Sequence, residues 1–248
     1  MTAGVLAQPR TVYISVREAR MWVDRILLVS GLPSGYIPAT RECVLASQAL
    51  GLGGFLRLLD VYDRLDIGRF ADIVVEAPRD DELVVDGAGL DAWLLAPTVT
   101  DLGVDIARKS GRADVRVRRV ADVDELQVVT ALARRHGANA TVLASHRDAD
   151  ADCVAVRITN LAHPRSVEEA DPWLRDALRY GFAVDEALWK AVYELQKRAL
   201  ARDSVVSRRH AGPVIMLDDG TIVGRRPNDD DFDATMLRSV PAAQSETR

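Results

Sequence analysis

Residues 94–144 read LLAPTVTDLGVDIARKSGRADVRVRRVADVDELQVVTALARRHGANATVLA, and the changes of period along them decide the fold class. Leu94 to Lys109 has helical spacing, and Gly111 supplies its stop. From Asp114 to Val120, Val115 and Val117 alternate with Arg116 and Arg118, the two-residue period of a strand with one buried face. Val123 to Arg135 returns to a helical pattern that ends at Gly137, and Ala140 to Ala144 is a second strand. Helix, strand, helix, strand in that order predicts an α/β unit with a crossover connection. Cys153 to Ile158 adds a further apolar strand to its sheet.

Towards the N-terminus, Ile73 to Glu76 and Glu82 to Val85 are short β-type runs separated by Pro78, with Asp86-Gly87 as the turn after them. Before them the pattern is helical. Ser15 reads as an N-cap with Glu18 three residues on, an arrangement that satisfies two orphan amides. Ala19, Trp22, Val23, Ile26 and Leu27 then share one face until Gly31-Leu32-Pro33. A second helix, Pro38 to Ala49, carries Cys43, Val44 and Ala46 inward, and a third, Phe55 to Leu65, carries Leu58, Leu59 and Tyr62 and ends near Gly68. Gly51, Gly53 and Gly54 between them read as an inter-helix turn in which glycine supplies positive φ. Beyond the sheet, Pro164 breaks the chain, and helices fit Val167 to Tyr180 and Asp185 to Ala201 around Gly181. Val214 to Leu217, Asp218-Asp219-Gly220 and Thr221 to Gly224 give a hairpin signal.

The expected architecture is therefore α/β, with a helical layer from the N- and C-terminal segments packed beside a small mixed α/β sheet layer. Its parts are a helical segment over 12–70, an α/β segment over 71–163, helices over 164–203 returning onto the first segment, a hairpin over 204–227 and a disordered tail over 228–248. Leu27, Leu58 and Trp189 are expected in the core.

Composition bounds the function. The 248 residues are 48% hydrophobic and 28% charged, which excludes disorder over most of the chain. A net charge of -5 argues against nucleic acid and anionic membrane as partners, since both need a basic excess. Two cysteines and four scattered histidines offer no metal-ligand spacing, so no metal is expected. Asp148, Asp150 and Asp152 alternate as cation-loop ligands do, but Cys153 stands where such a loop needs glycine, and the segment reads as a solvated loop. The acidic run Asp229 to Asp233 reads as a solvated tail. Met1 to Arg10 lacks a signal-peptide pattern and no stretch approaches a membrane span, so a cytoplasmic location is expected.

The spacing of several motifs resembles the type 2 malate/L-lactate dehydrogenase family, with its ureidoglycolate, sulfolactate and imino-acid relatives. The matching positions are Gly31, Gly51-Leu52, Tyr62, Gly68, Asp86-Gly87, Ala107-Arg108-Lys109-Ser110-Gly111, Val115-Arg116-Val117-Arg118, Gly137 and Gly181-Phe182-Ala183-Val184-Asp185-Glu186-Ala187-Leu188-Trp189. They cover about Ile14 to Ser145 and Pro164 to Leu200. The resemblance implies a nicotinamide-dependent oxidoreductase ancestry, with the last helices packing back on the first and contributing to a dimer.

It also implies a loss. The family's Ser-His-Gly segment, which carries its acid/base histidine, falls on Gly54, Phe55 and Leu56, and a phenylalanine cannot exchange a proton. The second histidine position falls on Asp122, with Asp124 at the following glycine. The carboxylate-gripping arginine falls on Leu59, with Arg57 two residues away. The long central stretch of the family shrinks to His146 to Arg165, and Gly51-x-Gly53-Gly54 lies between helices and does not follow a strand, so the dinucleotide fingerprint fails. The expectation is a divergent, shortened relative without dehydrogenase activity and without a cofactor, acting as a binding, regulatory or subunit-like protein in a homodimer or hetero-complex. The alternative is an active NAD- or NADP-dependent enzyme acting on a small 2-oxo or 2-hydroxy acid or a cyclic imine. In it Asp122 or Asp124 is the acid/base group, and Arg57 or Arg118 meets the substrate anion. Beside that alternative, Asp122, Asp124 and Glu125 fit the first turn of the next helix as capping carboxylates, and His136 fits its C-terminal end.

Overall fold

A computed structural model describes residues 10–148, 151–161, 171–200, 214–217, 219 and 221–224. The expected solvated loop at Asp150, the helix start at Val167, the acidic run Asp229 to Asp233 and the tail over 228–248 lie outside them. Residues Met1–Ala199 form one compact unit and Leu200–Arg248 a second. In the second, β8 (Val214–Met216) pairs antiparallel with β9 (Ile222–Gly224), where the Asp-Gly turn signal places a hairpin.

The first unit opens with β1 (Thr11–Ile14) and α1 (Val16–Val29). The Glu18 amide donates to Ser15 Oγ at 3.2 Å, so the cap read from sequence forms. α1 buries Ala19, Val23, Ile26 and Leu27 against α2 (Ile37–Ala49) and α7 (Glu186–Gln196). Gly51 and Gly53 adopt φ of 78° and 83° in the turn to α3 (Gly54–Val61). Gly54 serves a different purpose: a Cβ there would lie 2.3 Å from the Val44 carbonyl oxygen and 2.8 Å from the Gln48 nitrogen. The missing side chain lets α3 start in contact with the backbone of α2. α3 itself is shorter than its apolar pattern, because the chain leaves the helix at Val61 while Leu65 still turns inward.

The C-terminal helices return onto this layer. Asp171 caps α6 (Pro172–Tyr180), and Asp185 caps α7 through the amides of Ala187 and Leu188. Trp189 stacks on Trp22 with centroids 4.4 Å apart and interplanar angle 10°, and its ring lies 5.3 Å from Phe55. Leu27 and Leu58 are fully buried and Trp189 nearly so, as the apolar spacing predicts. The sequence pattern missed two strands, β1 and β7 (Phe182–Asp185), which pair antiparallel with Ile14 opposite Phe182. The four residues of each show too little alternation to register beside a helix start.

The second layer is a sheet of order β2-β3-β4-β6-β5. It comprises β2 (Val74–Arg79), β3 (Glu82–Asp86), β4 (Arg112–Arg118), β5 (Ala138–Asp148) and β6 (Ala151–Asn160). β3 and β4 are its parallel pair, joined by α4 (Ala92–Ser110), which is the crossover expected. β5 and β6 run further than their apolar cores because they form a long antiparallel hairpin. The predicted helix over 123–135 divides into a 3-10 turn, Val123–Gln127, and α5 (Val128–Arg135). The layers meet at a partly buried charge node. Glu42 of α2 accepts from Arg20 at 3.1 Å, from Arg41 at 2.9 Å and from Arg135 of α5. Burial pushes its pKa up, but the three guanidinium groups outweigh burial and hold it below the ordinary glutamate value.

Candidate functional site

Parallel strands end at the same edge of a sheet, so the loops after β3 and β4 emerge together. Here they run side by side as a continuation of the ladder. The Gly87 amide donates to Arg118 O at 2.8 Å, the Gly89 amide to Arg119 O at 2.6 Å, and the Ala121 amide to Leu90 O at 2.8 Å. Ala88, Arg119 and Asp122 all sit in left-handed backbone, at φ of 53°, 52° and 53°, and they are the non-glycine residues to do so among the described residues. Side-chain-bearing residues rarely hold that conformation unless surrounding structure fixes it, and such positions gather at ligand sites.

Beside these loops lies a cavity of about 380 Å³. Gly89, Asp91 and Asp122 line it from the two loops, and Arg64, Asp66 and Arg69 from the segment that follows α3. Arg64 donates to Asp60 O at 2.6 Å and Arg69 to Ala88 O at 3.3 Å. Neither arginine has a carboxylate partner among the described residues.

Arg57 of α3 reaches the edge of this cavity. Its Nη2 donates to Asp91 and, at 2.7 Å, to Asp122, while Glu125 lies 3.9 Å from its Nε. The guanidinium carbon sits 4.1 Å from the centroid of the Trp93 ring, and the Trp93 indole N–H donates to Glu125 at 2.8 Å. Burial lowers the guanidinium's pKa, but the bond to Asp91 and the surrounding carboxylates more than reverse this and raise it. Asp91 also caps α4, accepting from the Trp93 amide at 2.8 Å. One cation thus serves three carboxylates, leaving the cluster two negative charges in surplus.

The candidate residues therefore separate. Arg57 and Asp122 come into contact. Arg118 lies elsewhere: it and Arg119 grip the buried Asp86 at 3.1 and 2.6 Å. Burial raises the Asp86 pKa, but the Arg119 hydrogen bond, the Ala88 amide and the Arg118 charge override it, so the carboxyl titrates below the usual aspartate range. Asp124 is exposed and does not line the cavity. The capping reading needs correction. Asp122 holds the N-cap position of the 3-10 turn but makes no capping bond, because its carboxylate goes to Arg57. Glu125 is buried on Trp93 and is no solvated first-turn charge. His136 does end α5, with its Nε2 3.8 Å from Asp101. Phe55 is fully buried, edge-on to Phe182 at 5.5 Å. Sequence reasoning missed Asp91, Trp93, Arg64 and Arg69. Asp91 had a readable signal, an aspartate immediately before an apolar helical run; the others depend on partners far along the chain.

One segment among the described residues bears on a dinucleotide, and its pyrophosphate does not fit there. The connection from β3 to α4, Gly87-Ala88-Gly89-Leu90-Asp91, is the strand–glycine–helix segment where its phosphates would rest. There the Asp91 carboxylate already occupies the first turn of α4, and a pyrophosphate would meet it head-on. The described residues also contain no cluster of three or more His, Cys, Asp or Glu placed to hold a metal.

No protein-family model matches the sequence, and no curated protein is similar to it. Solved structures are. A dehydrogenase from Sinorhizobium meliloti superposes with a TM-score of 0.54 at 13% identity, over 75% of this chain and 100% of the other. Malate dehydrogenase from Pyrococcus horikoshii OT3 gives 0.53 at 10% identity, over 78% and 97%. For malate dehydrogenase from Entamoeba histolytica the values are 0.39 and 17%, over 55% of this chain, and the chain spans 40% of that protein's length. The chain has a malate/lactate dehydrogenase-like α/β fold. No helix among its described residues is long and apolar enough to cross a membrane.

Proposed function

We propose that this chain is a shortened, divergent relative of the malate/L-lactate dehydrogenases that has given up dehydrogenase chemistry and works in the cytoplasm as a binding, regulatory or subunit-like protein, with the cavity at the carboxyl ends of β3 and β4 as its ligand site. The observation that carries this reading is Phe55. At the position to which the resemblance assigns the acid/base histidine stands a fully buried ring packed on Phe182 and Trp189. Proton transfer needs a titrating group within hydrogen-bond reach of substrate, and this position is now core. Assembly as a homodimer or with another subunit is part of the proposal. Leu52 in the turn before α3, Leu56 of α3 and Tyr193 of α7, 37%, 56% and 42% exposed, are apolar surface for a partner to cover.

Titration of the purified chain with NADH and NADPH, followed by cofactor fluorescence, tests the reading. No saturable enhancement is expected at micromolar cofactor, and no oxidation of NADH with 2-oxo acids or cyclic imines. Saturable binding with turnover would install the alternative, an NAD(P)-dependent oxidoreductase using Asp122. In its favour, Asp122 lines the cavity with a carboxylate 58% exposed; against it, that carboxylate is committed to Arg57.

A further inference from the structure

The cavity's charges are sorted by chain segment. Arg64 and Arg69 bring two guanidinium groups without ion-pair partners among the described residues, moderated by Asp66, whose carboxylate accepts the Gly68 amide at 2.8 Å. Asp91 and Asp122 belong to a cluster in which three carboxylates share the single cation Arg57. The N-terminus of α4 offsets about half a charge of that surplus, which leaves the cluster clearly negative. A plain dianion would satisfy the arginines and be repelled by Asp91 and Asp122, and a plain amine would do the reverse. At about 380 Å³ the space is at the small end of ligand pockets, which run from roughly 300 to 1,000 Å³.

We infer that the cavity takes a zwitterionic small molecule of the amino-acid class, its carboxylate on Arg64 and Arg69 and its ammonium on Asp122 and Asp91. The inference rests on the cavity being a ligand site, as proposed above, and adds the chemical class. Guanidinium groups hold a carboxylate by charge-assisted, paired N–H donation, and an ammonium needs acceptors alone, which a carboxylate surplus supplies. The hydrogen bond from Arg57 to Asp122, at 2.7 Å, holds the acceptor end in place before the ligand arrives.

Three nearly isosteric probes decide it on the full chain: L-norvaline, its des-amino analogue pentanoate and its des-carboxy analogue butylamine. Binding is read by the amide resonances of Gly89, Asp91 and Asp122 and the Trp93 indole N–H. Norvaline is expected to bind at least about tenfold more tightly than either truncated probe, since each loses one charged hydrogen-bond set. Arg69→Gln should weaken norvaline and pentanoate about tenfold and leave butylamine unchanged, while Asp122→Asn should weaken norvaline and butylamine only. Pentanoate equal to norvaline, or butylamine equal to norvaline, overturns the zwitterion and leaves the binding-protein reading intact. No response to any probe at about 10 mM overturns it too, because a charge-matched site retains millimolar affinity. Cofactor binding with turnover, measured separately, bears on the functional reading alone.

Discussion

The Arg57 guanidinium carbon sits over the Trp93 ring, 4.1 Å from its centroid, and both side chains reach the same carboxylate, Glu125. The contact ties α3 to the start of α4. It places a cation where the α4 N-terminus would otherwise repel one, and the neighbouring carboxylates make that tolerable.

Removing that cation exposes the dependence. In Arg57→Met the Asp91 and Glu125 side chains, 14% and 8% exposed, lose their counter-charge in place. A destabilisation of about 3–5 kcal/mol is expected, against less than about 1 kcal/mol for Asp122→Asn, whose carboxylate is largely solvated. Urea midpoints for the two variants measure the difference, and equal midpoints would remove Arg57 from the centre of the site.

Phe55 should behave as core. Phe55→Leu keeps most of the volume and should cost about 1–2 kcal/mol, and Phe55→Ala about 3–5 kcal/mol through the cavity left against Phe182 and Trp189. Thermal unfolding followed through tryptophan fluorescence reads both, because Trp189 abuts the altered position.

Two depressed, poorly exposed carboxyl groups contribute to the acid limb of stability. Asp86 and Glu42 both titrate lower in the folded chain than unfolded. Their contribution is complete above their ordinary values and is lost as pH falls from about 4 through the folded values. Denaturation midpoints should hold steady down to about pH 5 and drop below pH 4. Asp86→Asn should be less stable at neutral pH and show a shallower drop.

The two cysteines should differ in chemistry. Cys43 is fully buried, and desolvation pushes its thiol far above the ordinary value, while Cys153 is partly exposed. A thiol reagent applied to the native chain at pH 8 should label Cys153 alone, with Cys43 appearing only in denaturant. Rapid labelling of Cys43 under native conditions would contradict the packing of α2.

What the sequence made legible follows from the range of the interactions. The Ser15 cap, the alternation of Val115 and Val117, and the turn glycines Gly51 and Gly53 are local physics, and each appears where its pattern places it. β1 and β7 escaped because four residues carry little period. The site was harder still. Trp93 meets Glu125 and Arg57 meets Asp91 across long chain separations, and no spacing rule links them. Asp122 shows the cost of stopping at local rules: an aspartate before a helix reads as a cap, but a guanidinium 65 residues away takes its carboxylate.

Gly54 gives the proposed history a direction. With α3 starting against the backbone of α2, any residue with a Cβ at 54 would overlap the Val44 carbonyl at 2.3 Å. A serine there, followed by a histidine at 55, would require the two helices to part and the Phe55–Phe182–Trp189 packing to be rebuilt at the same time. On the proposed descent, neither substitution alone returns a proton carrier, since each step lowers stability before any chemistry returns. On that proposal the tight seat of one helix on another acts as a ratchet, and a lineage past it is free to reshape the neighbouring pocket for other ligands.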